Sequence, residues 1–406
     1  MKMIRIFHPV GQGAFYSEHF EFGRKKINVV YDCGSSTDVN YVKREVKNIF
    51  EKGEKIHALF ISHLDEDHIN GVPFLLKHCD IENIFFPLIS SENKYLLKMW
   101  MEVKGIRGFA WDFLENPYEA IGNLKLNEKE RPRLIGVAEF PDVTEERESL
   151  EPVSNRNQIK SGENVWGEIN NLFTTRYWLY IPFNFKQEER IKKLKDSLEE
   201  AFGEPVSLSD LDKLWRESEN NRKKIKEAYR RVPGSFNTNS MTLFSGVEKG
   251  VEAETMSPFF ESWFQNYYEG FRNHYRFFSK LYIDNDSYFR FHHRYYKDIL
   301  GAKEGGCLYL GDYDASGNER FNQLKVAYDE LWYKIGCIQI PHHGSHYNFN
   351  SKLVDNNSFY FISAGSKNPY CHPHSNVITE ILLEEHHPLV ITENPESRVY
   401  IEVTYF

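Results

Sequence analysis

The sequence predicts a layered α/β fold built from the two ends of the chain. Short β-rich runs alternate with helix-like stretches in residues 1–90, the same texture returns in residues 304–406, and what separates them reads as insertion. Strands that alternate with helices bury their apolar sides by laying helices on sheet faces. At the N-terminal end the order is β, β, α, β: MIRIFHPV, then KINVVYD closed by CGSS, then VNYVKREVKNIFEKG, then HALFISH. At the C-terminal end CLYLGD, GCIQIPHHGS and SFYFISAG read as strands, SNVITEILLEE as a helix, and PLVIT and VYIEVTYF as closing strands.

Residues 91–235 carry charge-laced segments, QEERIKKLKDSLEEAF and LSDLDKLWRESENNRKKIKEAYRR, in which Leu, Ile and Trp recur at helical spacing. This is expected to be a helical insertion, with Ser207 or Ser209 capping the second helix and Pro233-Gly234 ending it. Residues 236–245 return one core strand, NSMTLFSG, before a second, aromatic-rich insertion over residues 246–303. The insertions are expected to cap one edge of the core, where they restrict entry and offer a surface to a protein partner.

At 406 residues the chain is longer than a usual single domain, which fits a core with large insertions. Hydrophobic residues at 41% and aromatics at 15% exclude a disordered chain. A net charge of −9 excludes a uniformly basic nucleic-acid coat but leaves room for a local basic stripe. Cys33, Cys79, Cys307, Cys337 and Cys371 form no CxxC pair, so neither a disulfide framework nor a zinc knuckle is expected. No signal peptide is legible and no run approaches the roughly 18 apolar residues of a membrane span, so the expectation is a cytoplasmic protein without membrane contact.

The chemistry concentrates at strand ends. In FISHLDEDHING a hydrophobic strand delivers His63, Asp65, Asp67 and His68 into one turn, at the carboxyl end where α/β folds place ligands. Imidazoles and carboxylates crowded there desolvate one another at a cost that a divalent cation removes. A solvated acidic turn would explain this run alone. Two further strand ends carry ligands, however: LYLGDYD brings Asp312, and IQIPHHGSH brings His342, His343 and His346.

With these residues in place the chain resembles the metallo-β-lactamase superfamily, and within it the hydrolase domain of ComEC-type competence proteins. PVGQGAFY and NVVYDCGSS are similar to that domain's opening hairpin and aspartate turn, SHLDEDHINGV to its HxDxDH motif, and NTNSMTLFSG and CLYLGD to its next two strands. IPHHGS and SAGSKNPYCHPHSNV resemble its last motifs. About half the chain is covered, and the insertions are not.

The resemblance implies an αββα sandwich with a binuclear site. His63 and Asp65 would hold one metal, Asp67 and His68 the other, with Asp312 bridging and His343 a further ligand. It implies two divalent ions, zinc or manganese, the latter because Asp65 replaces the more usual histidine and makes the donor set richer in oxygen. It also implies a phosphodiesterase or nuclease acting through a metal-bound hydroxide, with nucleic acid or a nucleotide as substrate. Asp67 and His372 are the catalytic candidates, His372 able to hold a phosphate oxygen or to donate a proton to the leaving oxygen, with His343 the alternative for that assistance. His342, Ser345, Asn368 and His374 lie where the family puts groups that face substrate, and Asp32 is expected to hold the HLDEDH loop by hydrogen bonds.

Two departures stand out. Ala14 replaces the acid that ends the family's opening VGQGD, and the further histidine that most members carry between the two motif groups is not identifiable, His274, His292 and His293 being the candidates. Gly11 and Gly13 read as hairpin glycines, because GQG has neither a following helix start nor a lysine. NNRKKIKEAYRR and the aromatic-basic stretch 271–297 have the composition of a single-stranded nucleic-acid groove, and equally of a solvated helix face and a packed insert. The same metals on this fold also suit an ester, lactone or amide, and a partner-binding module with a structural metal site is the third alternative.

Overall fold

The computed structural model describes residues 2–22, 25–126, 131–140, 157–169, 177–185, 188–232, 240–255, 259–260, 303–354, 357–386 and 388–405. The stretch 271–297, the three candidate histidines and Pro233-Gly234 lie outside them.

Two sheets face one another. The first runs Gln158–Ile159, Arg133–Val137, Asn83–Pro87, Ala58–Phe60, Lys25–Cys33, Phe15–Phe22, Lys2–Phe7, Val399–Tyr405, Ala253–Thr255 and Lys303–Glu304. The second runs Pro388–Ile391, Phe359–Ser363, Ile335–Gln339, Gly306–Tyr309, Met241–Val247, Trp178–Phe185 and Glu139–Phe140. Lys2–Phe7 and Val399–Tyr405 pair antiparallel, so both ends of the chain share one sheet. Ala58–Phe60 pairs parallel with a strand on each side and is wholly buried, which is why its run is continuously apolar rather than alternating.

Three apolar clusters define the layers. Phe7, Tyr16, Tyr31, Phe60, Tyr309 and Phe361 fill the space between the sheets. Val42, Val46, Leu59, Leu75 and Ile84 join the outer face of the first sheet to helices Val39–Ile49 and Val72–His78. Leu308, Ile338, Phe321, Leu324, Val377 and Ile381 do the same for the second sheet with helices Asn318–Ala327 and Ser375–Leu383. This is the αββα sandwich. One charge crosses its interior satisfied: Arg5 Nε donates to Glu18 Oε1 at 2.7 Å, and Tyr309, Tyr180 and Ser245 also donate to that carboxylate.

Residues 91–235, read from sequence as helical, supply strands to both sheets as well. Arg133–Val137 extends the first and Trp178–Phe185 the second. Charged helical runs on either side mask these strands, although WLYIPFNF carries the aromatic and β-branched residues strands favour. Helices Ser91–Lys104, Glu188–Phe202 and Glu219–Arg231 continue the apolar layer of the first sheet through Leu96, Leu194 and Ile225. The run from Leu208 breaks at Ser218, which is extended and accepts from the Asn221 N–H as the cap of Glu219–Arg231. Ser207 makes no capping bond; its hydroxyl pairs with that of Ser209. All five cysteines are free, and only Cys371 is exposed.

Candidate metal centre

The first half of the site hangs from two adjacent strands. Asp32, at the end of Lys25–Cys33, adopts φ 55°, an uncommon conformation that turns its carboxylate under the next loop. That carboxylate accepts from Ser62 N at 2.7 Å, Ser62 Oγ at 2.6 Å and His68 Nδ1 at 2.8 Å. With Nδ1 so engaged, His68 presents Nε2 to the interior. The short helix Glu66–Ile69 presses against Gly34 so closely that a Cβ there would stand 2.5 Å from Asp67 C and His68 N. Ala14, where an acid was lost, donates its N–H to Asp67 O at 3.0 Å, so this hairpin supports the loop through its backbone.

The second half comes from the other sheet. Asp312 follows strand Gly306–Tyr309, and its N–H donates to Ser240 Oγ at 2.8 Å, while that same hydroxyl lies 3.1 Å from His63 Nδ1. His342, His343 and Gly344 are consecutive left-handed residues at φ 48°, 57° and 79°, and the His342 N–H donates to Gly311 O. Such strain, on the order of 1–3 kcal/mol for each non-glycine residue, persists only where surrounding contacts enforce it.

The halves converge on a small volume. His68 Nε2 is 3.2 Å from Asp312 Oδ1, His63 Nε2 is 3.5 Å from Asp312 Oδ2 and 3.6 Å from Asp65 Oδ2, and His343 Nε2 is 3.1 Å from Asp67 Oδ2. His342 Nε2 approaches Asp312 Oδ2 at 3.6 Å. Two groups, His63–His68–Asp312 and Asp67–His68–His343, each keep their donor atoms within 4.8 Å of one another. Buried His63 Nε2, His68 Nε2 and Asp312 Oδ1 face one another at ion-pair distance without completing a hydrogen bond. Buried polar atoms are almost always satisfied, so donors orphaned around one point fit a metal site.

A model of the metallo-beta-lactamase superfamily matches residues 22–150, which hold the strands Lys25–Cys33, Ala58–Phe60, Asn83–Pro87 and Arg133–Val137 of the first sheet and the HLDEDH loop. The fold is that of the metallo-β-lactamase superfamily. Over 69 residues the chain is 41% identical to ribonuclease J of Mycoplasma genitalium. It is 38% identical to ribonuclease J of Mycoplasma pneumoniae over a stretch of the same length. The matched stretch is 16% of this chain and 12% of each relative.

Charges in this metallo-β-lactamase core are mutually tuned. Burial and the neighbouring His68 push the His63 imidazolium down, but Asp312 and Asp65 outweigh them and raise its pKa to about 9. Burial likewise disfavours charged His68, yet Asp312 and Asp32 hold it well above the usual histidine range. Burial opposes the Asp67 carboxylate, which His343 and His68 nevertheless keep at about 2.

The remaining sequence candidates line one side of the centre. The His372 ring stands 5.6 Å from that of His342 and 6.2 Å from that of His343. Gln12 holds it: Gln12 Oε1 accepts from Gly365 N, which leaves Nε2 to donate to His372 Nδ1 at 3.2 Å. His374 Nδ1 accepts from His346 N, and Ser345 is buried in the same loop. Asn368 differs from expectation. Its amide bonds the Gly365 and His372 carbonyls and the Tyr370 and His372 N–H groups, all within its own loop, so it shapes the loop and has no amide proton left for substrate.

Ser62, Ser240, Gln12 and Asn348 were missed in the sequence. Asn348 holds His342 Nδ1 at 2.8 Å and donates to Asp312 O. Ser62 alone had a signal, as a polar residue breaking the apolar run just before His63. Among the described residues no histidine lies between His78 and His342. Helix Glu188–Phe202 reaches this edge through Arg190, which pairs with Asp314 at 3.3 Å.

Proposed function

We propose that this chain is a metal-dependent phosphodiesterase acting on nucleic acid through a pair of divalent cations. The orphaned donors His63 Nε2, His68 Nε2 and Asp312 Oδ1 carry the reading. The local similarity to ribonuclease J and the resemblance to ComEC-type hydrolase domains support the substrate class. In this reading His63 and Asp65 hold one cation, Asp67, His68 and His343 the other, and Asp312 lies between. When bound, the two cations supply Lewis acidity toward a phosphoryl oxygen and activate water.

The protein's own groups do the rest. Asp32 fixes His68 in the tautomer that leaves Nε2 free, and Ser240 orders His63 and Asp312 together. Burial, followed by the neighbouring His343 and His342 rings, lowers the His372 pKa to about 3, so this ring is neutral at physiological pH. With Nδ1 accepting from Gln12, its single proton sits on Nε2. Nε2 is therefore the atom His372 offers to a phosphate or leaving oxygen.

The net charge of −9 favours a second reading, in which the same centre hydrolyses a small ester, lactone or amide. Purified protein loaded with Zn²⁺ or Mn²⁺, beside Asp67→Ala, should be assayed on bis-p-nitrophenyl phosphate and on labelled single- and double-stranded DNA and RNA. Metal-dependent cleavage lost in the variant is expected. Two bound metals with no cleavage of any phosphodiester would transfer support to the second reading.

A further inference from the structure

Beside the metal centre a row of rings runs outward to solvent. The His372 ring lies nearly parallel to that of His343, at 25°, and Tyr370 stacks on the outer side at 5.7 Å and 28°. A second branch leaves His372 through His374 at 4.8 Å and His346 at 4.3 Å, and ends on Tyr347, 3.8 Å from His346. Both terminal tyrosines are exposed, Tyr347 at 69% and Tyr370 at 63%.

Large aromatic side chains normally bury most of their surface. Here two stand in solvent at the ends of one continuous ring array, each seated on an imidazole and the array rooted beside the proposed ligand His343. Tyrosine offers a rigid planar face at the cost of two rotatable bonds, which suits stacking on a flat heterocycle. Stacking reads no sequence but demands a free face, so a base must be unpaired to use it. Two phenol rings offer planar contact and no cation for a phosphate.

We propose that Tyr370 and Tyr347 form a stacking rim that takes unpaired nucleobases of the strand whose phosphate enters the metal centre. The inference rests on the phosphodiesterase reading and adds a subsite to it. Tyr370, nearer the centre through His372, takes the base adjoining the scissile phosphate. Tyr347, at the end of the longer branch, takes one further along. The bound strand is single-stranded at both positions.

The test uses zinc-loaded full-length protein and a single-stranded tetranucleotide carrying 2-aminopurine, whose fluorescence falls when it stacks, read at mixing before turnover. A matching strand has an abasic site in place of the fluorescent base. Expected are quenching with the native protein and with Tyr370→Phe, which keeps the ring, and binding about tenfold weaker in Tyr370→Ala. The native protein should prefer the base-bearing strand to the abasic one by a similar factor, and Tyr370→Ala, Tyr347→Ala together should erase that preference. Equal affinity of native protein for both strands, quenching that survives the double substitution, or duplex bound as tightly as single strand would each overturn the rim. A native protein that stacks the probe but cleaves no phosphodiester sinks the catalytic reading alone, and one that cleaves without discriminating base from abasic site sinks the rim alone.

Discussion

Gln12 Nε2 donates to His372 Nδ1 at 3.2 Å across 360 residues of sequence. The first turn of the fold thus sets the tautomer of an imidazole supplied by the last loop before the final helix.

Gln12→Ala is therefore expected to release that ring and lower kcat about tenfold with KM little changed, the usual scale for loss of a group that orients a site residue. Nitrogen-resolved NMR of labelled histidine should show a mixed tautomer for His372. An unchanged tautomer together with unchanged kcat would remove Gln12 from the machinery.

Asp32 makes three hydrogen bonds to the ligand loop, from Ser62 N, Ser62 Oγ and His68 Nδ1. Asp32→Ala should weaken Zn²⁺ binding by about 10- to 100-fold in chelator competition. Affinity equal to that of the native protein would mean that His68 is oriented by other contacts.

Metal binding should release protons. His63, held at about 9 without metal, and His68, raised in the same direction, must deprotonate to become ligands. Calorimetric heats of Zn²⁺ binding at pH 7 should vary with buffer ionisation enthalpy, and affinity should climb as pH rises through the His63 range near 9. The sign for stability follows from a folded pKa above the unfolded value near 6.5. The metal-free protein keeps this contribution below about pH 6.5 and loses it as pH rises through about 9, whereas the loaded protein does not. Parallel melting curves across that window, with and without EDTA, would refute this.

Glu45 on helix Val39–Ile49 meets Arg398 Nε at 3.0 Å and Arg44 Nε at 2.8 Å. Burial opposes its charge, but His8 and Arg398 lower its pKa to about 2, while burial lowers His8 to about 4. Both folded values lie below their unfolded ones, so stability is full above about pH 6.5 and falls as acid passes first through the His8 range and then below about 4. Glu45→Gln should cost about 3–5 kcal/mol at pH 7 by stranding Arg398, and should flatten the acid limb of a urea-denaturation series. A cost near zero at pH 7 would show the pair to be dispensable.

The fold was legible at its ends because strand-plus-turn patterns there carry both apolar periodicity and the candidate site residues: Asp32, His63, Asp67, His68, Asp312 and His343 all sit at strand ends that the sequence marks. Strands Arg133–Val137 and Trp178–Phe185 were not legible, since their pairing partners lie far off in sequence and the flanking charges impose a helical reading. Ser240 and Gln12 stayed hidden for a related reason. A hydroxyl or amide that acts through another side chain has no spacing signature, and only the closed sandwich brings Gln12 to His372.

The candidate metal donors are divided between two sheets, His63, Asp65, Asp67 and His68 from the first and Asp312 and His343 from the second. A ribosome delivers the acid-rich half long before the half that completes it. A nascent chain therefore carries only one part of the candidate donor set, and the two parts meet only when residues 304–406 have added their strands to the sandwich.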